Sequence, residues 1–184
     1  MESHVKKTKR YREQNPKFVE KYLAQIREIP ADRIAYVDET GIDTCLYREY
    51  GWSERGKQII GIVSGRKFKR TGVVAAKIGK SIVAPLQYDG TMDSSLFELW
   101  FETCLLQSLP KQAVIVMDNA SFHRKSRLFP LADRAGFTLI FLPPYSPEYN
   151  PIEHFWAWLK RYLRKSLHSC HSFDDALCSA FQGC

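Results

Sequence analysis

Apolar positions change their rhythm twice along this chain. Phe18, Tyr22, Ile26 and Ile29 recur at intervals of three and four, the period of a helix with one buried face. That predicts a helix from Pro16 to Ile29, stopped by Pro30. Shorter apolar runs follow: Arg33–Val37, Thr44–Tyr50, Lys57–Ile62, Thr71–Ile78 and Ser81–Tyr88. Thr40 and Gly41 read as a turn after the first run, and Gly-containing breaks (SERGK, VSGRK, IGKS) separate the later ones as hairpins do. Connections this short imply antiparallel pairing, because a parallel crossover needs a dozen residues or more.

The helical rhythm then returns. Ser95-x-x-Glu98 reads as a capping box, opening a helix that buries Leu96, Leu99, Trp100 and Leu106 and ends near Pro110. Ala113–Met117 (AVIVM) is continuously apolar, as in a strand covered on both faces. A helix of about a dozen residues comes next, with Gly136 as its C′ residue, and then the strand Phe137–Leu142. After a Pro-rich loop, Asn150 is placed to cap a helix with Pro151 in its first position, and Ile152, Phe155, Trp156, Leu159 and Leu163 share one face. Strands first, then alternating helix and strand, predict an α/β fold with a mixed sheet flanked by helices. Residues 1–30 read as a basic connector carrying one helix, and 31–184 as the main domain.

Composition changes little in that picture. The 184 residues suffice for one domain with a genuine core, and no apolar run approaches the ~18 residues of a membrane span. The basic N-terminus is followed by no apolar signal region, so a cytosolic protein is expected. Cys45, Cys104, Cys170, Cys178 and Cys184 form an odd set without C-x-x-C, as in a reducing compartment. His168, Cys170, His171, Cys178 and Cys184 crowd the C-terminus, but their spacing matches no usual zinc pattern.

Charge changes more. The formal net charge of +7 is concentrated in KKTKRYR (Lys6–Arg12), RKFKR (Arg66–Arg70) and KRYLRK (Lys160–Lys165). Separated basic clusters with aromatics among them suit a polyanion, although any one alone also reads as a solvated face.

The candidate chemistry lies in three acids. Asp38 and Asp118 each follow a strand-like run, and in open α/β sheets ligands sit at the carboxyl ends of strands. Glu153 opens a helix, with 34 residues between it and Asp118. Three carboxylates suit hard divalent cations with positions left for water and phosphate oxygens, and two such ions can drive an in-line displacement at phosphorus. Blander readings exist for each. A strand-end Asp is often a turn former, and Glu153, three residues after Asn150, also fits the return member of a capping box.

VDETG, DNASFH and LPPYSPEYNPIEHFWAWLK, with YGWSERGK before them, closely resemble the DDE transposases of the mariner superfamily, in particular the bacterial insertion-sequence branch called the six-thirty family. The resemblance runs from about Arg33 to Lys165. It implies a ribonuclease-H-like fold, a five-stranded mixed sheet whose first and fourth strands are central neighbours. It also implies that Asp38, Asp118 and Glu153 are the catalytic residues and bind two Mg²⁺ (or Mn²⁺) ions to cut transposon ends and join the 3′-hydroxyl to target DNA, normally at TA. Asn119 and His123 match polar positions that orient a phosphate or water, with a helix-capping surface residue as the plain alternative for His123. Asn150 is expected to fix the helix that carries Glu153. Arg66, Lys67, Lys69, Arg70, Arg124, Lys160, Arg161, Arg164 and Lys165 are the candidate DNA contacts. Trp156 is expected in the core and Trp158 outside it.

The implied partners are double-stranded DNA, as transposon ends and target, and a second copy of the chain on that DNA. The family usually carries an N-terminal helix-turn-helix reader, and the residues ahead of the first strand leave room only for a connector helix. A separate helix-turn-helix chain is therefore a possible partner. A ribonuclease-H-like nuclease and a DNA-binding remnant inactive without that reader are the competing functions.

Overall fold

The computed structural model describes residues 11–43, 53–58, 70–167 and 169–182. Five strands form one sheet in the order β3-β2-β1-β4-β5. These are β1 (Ile34–Asp43), β2 (Arg70–Ile78), β3 (Ser81–Asp89), β4 (Val114–Met117) and β5 (Thr138–Phe141). The first three pair antiparallel as hairpin neighbours, and β1, β4 and β5 run parallel. The first and fourth strands are thus neighbours at the centre, as expected of the ribonuclease-H-like arrangement.

Alternation along the strands builds two faces. Ala35, Val37, Val74, Ala76, Ile115 and Met117 point to one of them, covered by α2 (Ser94–Trp100), the turn α3 (Leu106–Ser108) and α4 (Lys125–Arg134). On the other, Tyr22 of α1 (Pro16–Ile26) packs against Ile34, Val114 and Val116. Beside it, α5 (Ile152–Ser166) and α6 (Phe173–Gln182) close over Ile42, Val73 and Ala75. No helix among the described residues is long and apolar enough to cross a membrane.

Several expectations need correction. The first helix ends at Ile26, and Val19 is buried where Phe18 was expected, leaving Phe18 exposed. VDETG is no turn, because β1 continues through Thr40 and Gly41 to Asp43. Gly41 faces Gly72 across the sheet with the Arg70 guanidinium lying over it, so it marks a close approach rather than a bend. The expected strand Thr44–Tyr50 lies outside the described residues, as does most of Lys57–Ile62.

Ser95 is not a cap. Asp93 accepts the backbone N–H groups of Ser95 and Leu96, both at 2.8 Å, which frees Glu98 for another partner. A π-helical turn at Phe101–Leu105 then rotates the helix. The buried set becomes Phe97, Trp100, Phe101, Leu105 and Leu106, and Leu99 is left 59% exposed. Gly136 stands at the end of α4 with φ +78°, as a C′ residue should.

Candidate active site

Asp38 lies in the middle of β1 rather than at its end. It nevertheless opens into a cleft, because the parallel pairing with the shorter β4 stops at Tyr36 opposite Val116. On β4 the strand ends at Met117, and Asp118 follows directly. The third acid, Glu153, stands exposed in the first turn of α5. All three line one cleft of about 500 Å³, together with Asn150 and two tyrosines, Tyr11 and Tyr145.

Trp156 Nε1–H donates to Asp38 Oδ2 at 2.9 Å, so this core tryptophan also anchors the first acid. Burial nevertheless pushes the Asp38 carboxyl up to about 8, with the charges of Glu153, Glu39 and Asp118 adding to the shift and the Trp156 bond opposing it. Asp118 behaves in the opposite way. Burial would raise it too, but His123, the Ala120 N–H at 3.0 Å and the imidazole charge hold it below the usual carboxylate range.

His123 is neither a surface residue nor a helix cap. Its side chain is 1% exposed, with Nδ1 at 3.1 Å from Asp118 Oδ1 and Nε2 at 3.2 Å from Glu39 Oε1. The ring packs on Phe97 at 4.2 Å between centroids. Burial alone would lower the imidazole, but the two carboxylates win and push it up to about 9. At neutral pH both ring nitrogens therefore donate.

Glu39 was not among the candidates. It follows Asp38 on β1, so strand alternation sends its side chain to the opposite face, where His123 meets it. The readable signal was the pair of adjacent acids in VDETG together with the imidazole five residues after Asp118.

The other candidates divide. Asn119 lines the cleft but is committed locally, donating to the Leu142 carbonyl and accepting from Lys125 Nζ, both at 2.6 Å. Asn150 makes no side-chain cap. Its Nδ2 reaches Val37 O at 3.4 Å, tying the start of α5 to β1, while Oδ1 is buried with no partner. The capping-box reading of Glu153 also fails, because the Asn150 N–H bonds to Pro147 O at 2.9 Å. Arg124 grips Glu98 in a two-pronged pair at 2.6 and 2.8 Å. Arg70 begins β2 and lies over Gly41, whereas Arg66, Lys67 and Lys69 fall outside the described residues. On α5, the helical period carries Lys160 and Arg164 along the same flank as Glu153 and turns Arg161 and Lys165 away. Trp158 is partly exposed and stacks between Phe155 and Tyr162. At the C-terminus, Cys170 packs against the α5–α6 core and Cys178 is exposed, with His168 and Cys184 outside the described residues.

The donor set fits a hard cation. Among the described residues Asp38 Oδ1 and Asp118 Oδ2 receive no hydrogen bond, and an unpartnered acceptor, Asn150 Oδ1, lines the same cleft. The Asp38 carboxyl is raised first by burial and then by the charges of Glu153, Glu39 and Asp118. The acids are not drawn fully together, however: among the described residues no three His, Cys, Asp or Glu side chains are spaced to hold one ion.

Comparisons with known proteins agree with this geometry. A family model described as DDE superfamily endonuclease matches residues 33–175. The uncharacterized protein y4pE/y4sA of Sinorhizobium fredii (strain NBRC 101917 / NGR234) is 42% identical over 48 residues, which is 26% of this chain and 33% of that protein. Among solved structures, the Mos1 strand transfer complex superposes with a TM-score of 0.65 at 15% identity, covering 97% of this chain and 62% of that one. Mos1 mariner paired-end complexes with Mn and with Mg give TM-scores of 0.64 and 0.63 at 14% identity, covering 97% and 98% of this chain and 63% and 64% of theirs. The catalytic core of BIV integrase gives 0.50 at 16% identity, over 82% of this chain and 81% of that one. The shared feature is the ribonuclease-H-like fold. The chain spans about a third of the curated relative and under two thirds of the Mos1 chain.

Proposed function

The chain belongs to the DDE superfamily endonucleases, and on that premise we propose that it is the catalytic domain of a mariner-type DNA transposase, with Asp38, Asp118 and Glu153 as its catalytic residues. The observation that carries the reading is the meeting of these three acids in one cleft. Burial, with the charges of the neighbouring acids added to it, keeps the Asp38 carboxyl high in the absence of a cation. The Mn and Mg named for the Mos1 complexes support the same metals here.

Asp38, Asp118 and Glu153 are the residues that would hold Mg²⁺ or Mn²⁺. When bound, such ions activate the attacking oxygen and stabilise the leaving oxygen of an in-line displacement. The chain's own residues do the rest. His123 keeps Asp118 ionised and fixed, Trp156 sets the rotamer of Asp38, and Asn150 ties the base of α5 to β1 so that Glu153 stays over the cleft. Lys160 and Arg164 extend from Glu153 along one flank of α5, where they can meet successive phosphates. In the first reaction water attacks a phosphodiester at the transposon end and a 3′-hydroxyl leaves. In the second that hydroxyl attacks target DNA, at TA in this reading, and a new phosphodiester replaces the old one. Pairing two ends calls for two copies of the chain, and end recognition for a helix-turn-helix, supplied in cis or by a separate chain.

The test is a Mn²⁺-dependent nicking and strand-transfer assay on duplexes carrying the element's own ends. Asp118→Ala should lower cleavage by about a thousandfold or more, and chelation should abolish it. Products identical for wild type and Asp118→Ala would end the catalytic assignment. Nicking without joining would favour a ribonuclease-H-like nuclease instead.

A further inference from the structure

The two tyrosines at the mouth of the cleft are not used by the chemistry above. Tyr11 precedes α1, and Tyr145 sits in the loop between β5 and α5, yet their rings lie 6.3 Å apart between centroids. Both line the same cleft as the three acids, and both remain open to solvent, at 55% and 57%. Gln14 fastens the two segments together. Its Nε2 donates to Ser146 Oγ at 2.9 Å and to Glu148 Oε1 at 2.6 Å, with a longer contact to Tyr145 O at 3.4 Å. The two segments are therefore tied together while both rings stay more than half exposed.

The backbone adds a second observation. Tyr145 has φ +56°, a left-handed conformation unfavourable for a residue with a Cβ. Nothing in the fold demands a tyrosine there, because glycine would take the same conformation without strain. Pro143, Pro144 and Pro147 surround it, and Ser146 Oγ donates to Pro144 O at 3.1 Å, so the loop is stiff and the ring is aimed by its backbone. Strain retained at the rim of a functional cleft points to a use for the side chain.

From these observations we infer that Tyr11 and Tyr145 form a stacking platform for an unpaired nucleobase next to the phosphodiester that the three acids address. A base inside an intact duplex keeps its phosphate on the outside of a wide rod, whereas the acids lie in a concave cleft. A phosphate enters the cleft more readily when the adjoining nucleotide leaves its stack, and exposed aromatic faces at the mouth recover the lost stacking. Any base has such a face, so the platform is indifferent to sequence and selects for frayed or single-stranded geometry. The inference rests on the nucleic-acid reading of the cleft and adds to it the form of DNA that enters.

The test uses the 184-residue chain and two DNA probes of identical sequence. One is fully paired, and the other carries an unpaired end, with 2-aminopurine reporting stacking. Wild type should prefer the frayed probe and change its 2-aminopurine fluorescence on binding. Tyr145→Gly removes the ring while relieving the backbone, so a folding defect does not confuse the result. It should weaken frayed-end binding roughly 5- to 50-fold, leave paired DNA within about twofold and abolish the fluorescence change. Tyr11→Ala should do the same to a lesser degree, and Tyr145→Phe should retain the wild-type preference. Wild type with no preference for the frayed probe would overturn the platform, as would a Tyr145→Gly variant that keeps the preference or loses both probes equally. Those results leave the transposase reading intact, whereas failure of wild type to bind either DNA would remove both.

Discussion

Asp38 and Asp118 open into one cleft from adjacent strands, yet their surroundings treat them in opposite ways. Asp38 is partly buried among other acids, with one tryptophan N–H for support, and its carboxyl is pushed up to about 8. Asp118 is half-exposed and already has a cation, the imidazolium of His123, so its carboxyl is held down. The difference follows from strand length and alternation. Asp38 lies within a long strand whose next residue, Glu39, must face the other way, and the loop after Asp118 brings His123 under the sheet to meet Glu39. One acid is therefore paired with a cation within the fold, and the other has a single neutral donor.

The largest expected effect tests the paired side. His123→Ala leaves Asp118 and the mostly buried Glu39 without their counter-charge, and the metal-free protein should lose about 3 kcal/mol in urea unfolding at pH 7. Adding Glu39→Gln to that variant should restore part of the loss, since the stranded charge goes with it. Strictly additive losses would mean that the imidazole does not couple the two acids.

The other side should show the opposite sign. Asp38→Asn removes a charge that the fold disfavours, so the metal-free protein should gain about 1–2 kcal/mol at pH 8 while losing cleavage. The pH profile gives a second view. The folded carboxyl titrates near 8 and the ordinary one near 3.8, so the folded state holds an extra proton between those values. Stability from this group is full below the lower value and declines as pH rises through the higher one. The imidazole titrates near 9 in the fold and near 6.5 outside it, so its contribution is full below 6.5 and lost as pH rises through 9. Metal-free wild type should weaken from pH 4 to 8, Asp38→Asn should lack the part of that decline below pH 6.5, where the imidazole does not contribute, and saturating Mn²⁺ should suppress that part in wild type. A flat metal-free profile would show that Asp38 carries no such burden.

These contrasts indicate what the sequence could convey. The five described strands, the crossover helix and the shared cleft of the three acids were legible because each rests on a local pattern: an apolar run, a period of 3.6, or an acid following a run or opening a helix. Glu39 was not, because its importance depends on which face of β1 it occupies and on a histidine 84 residues away. Ser95 was misread for a related reason, since Asp93 offers the same capping oxygen two residues earlier and Glu98 prefers Arg124. Leu99 failed because Phe97, Trp100 and Phe101 set the buried face of that helix at spacings of three and four, and Leu99 lies off it. Asn150 has a capping side chain in the right place, but the fold spends it on a contact with Val37 in a distant strand.

The finest test isolates the single donor that supports Asp38. Trp156→Phe keeps an aromatic ring in the core but deletes the N–H that reaches Oδ2. Stability alone would be ambiguous, because the smaller ring also loosens packing against Ile152 and Leu159. The carboxyl titration is not ambiguous. The lost bond had favoured the ionised form, so the Asp38 midpoint should move above 8, by less than about one unit for a single hydrogen bond of ~1 kcal/mol. The alkaline limit of the metal-free decline should move with it, while the Asp118–His123 titration stays in place. If packing were the only role of Trp156, stability would fall uniformly across pH and the midpoint would not move. A shift confined to Asp38 would confirm that the two acids are set by separate local donors within one cleft.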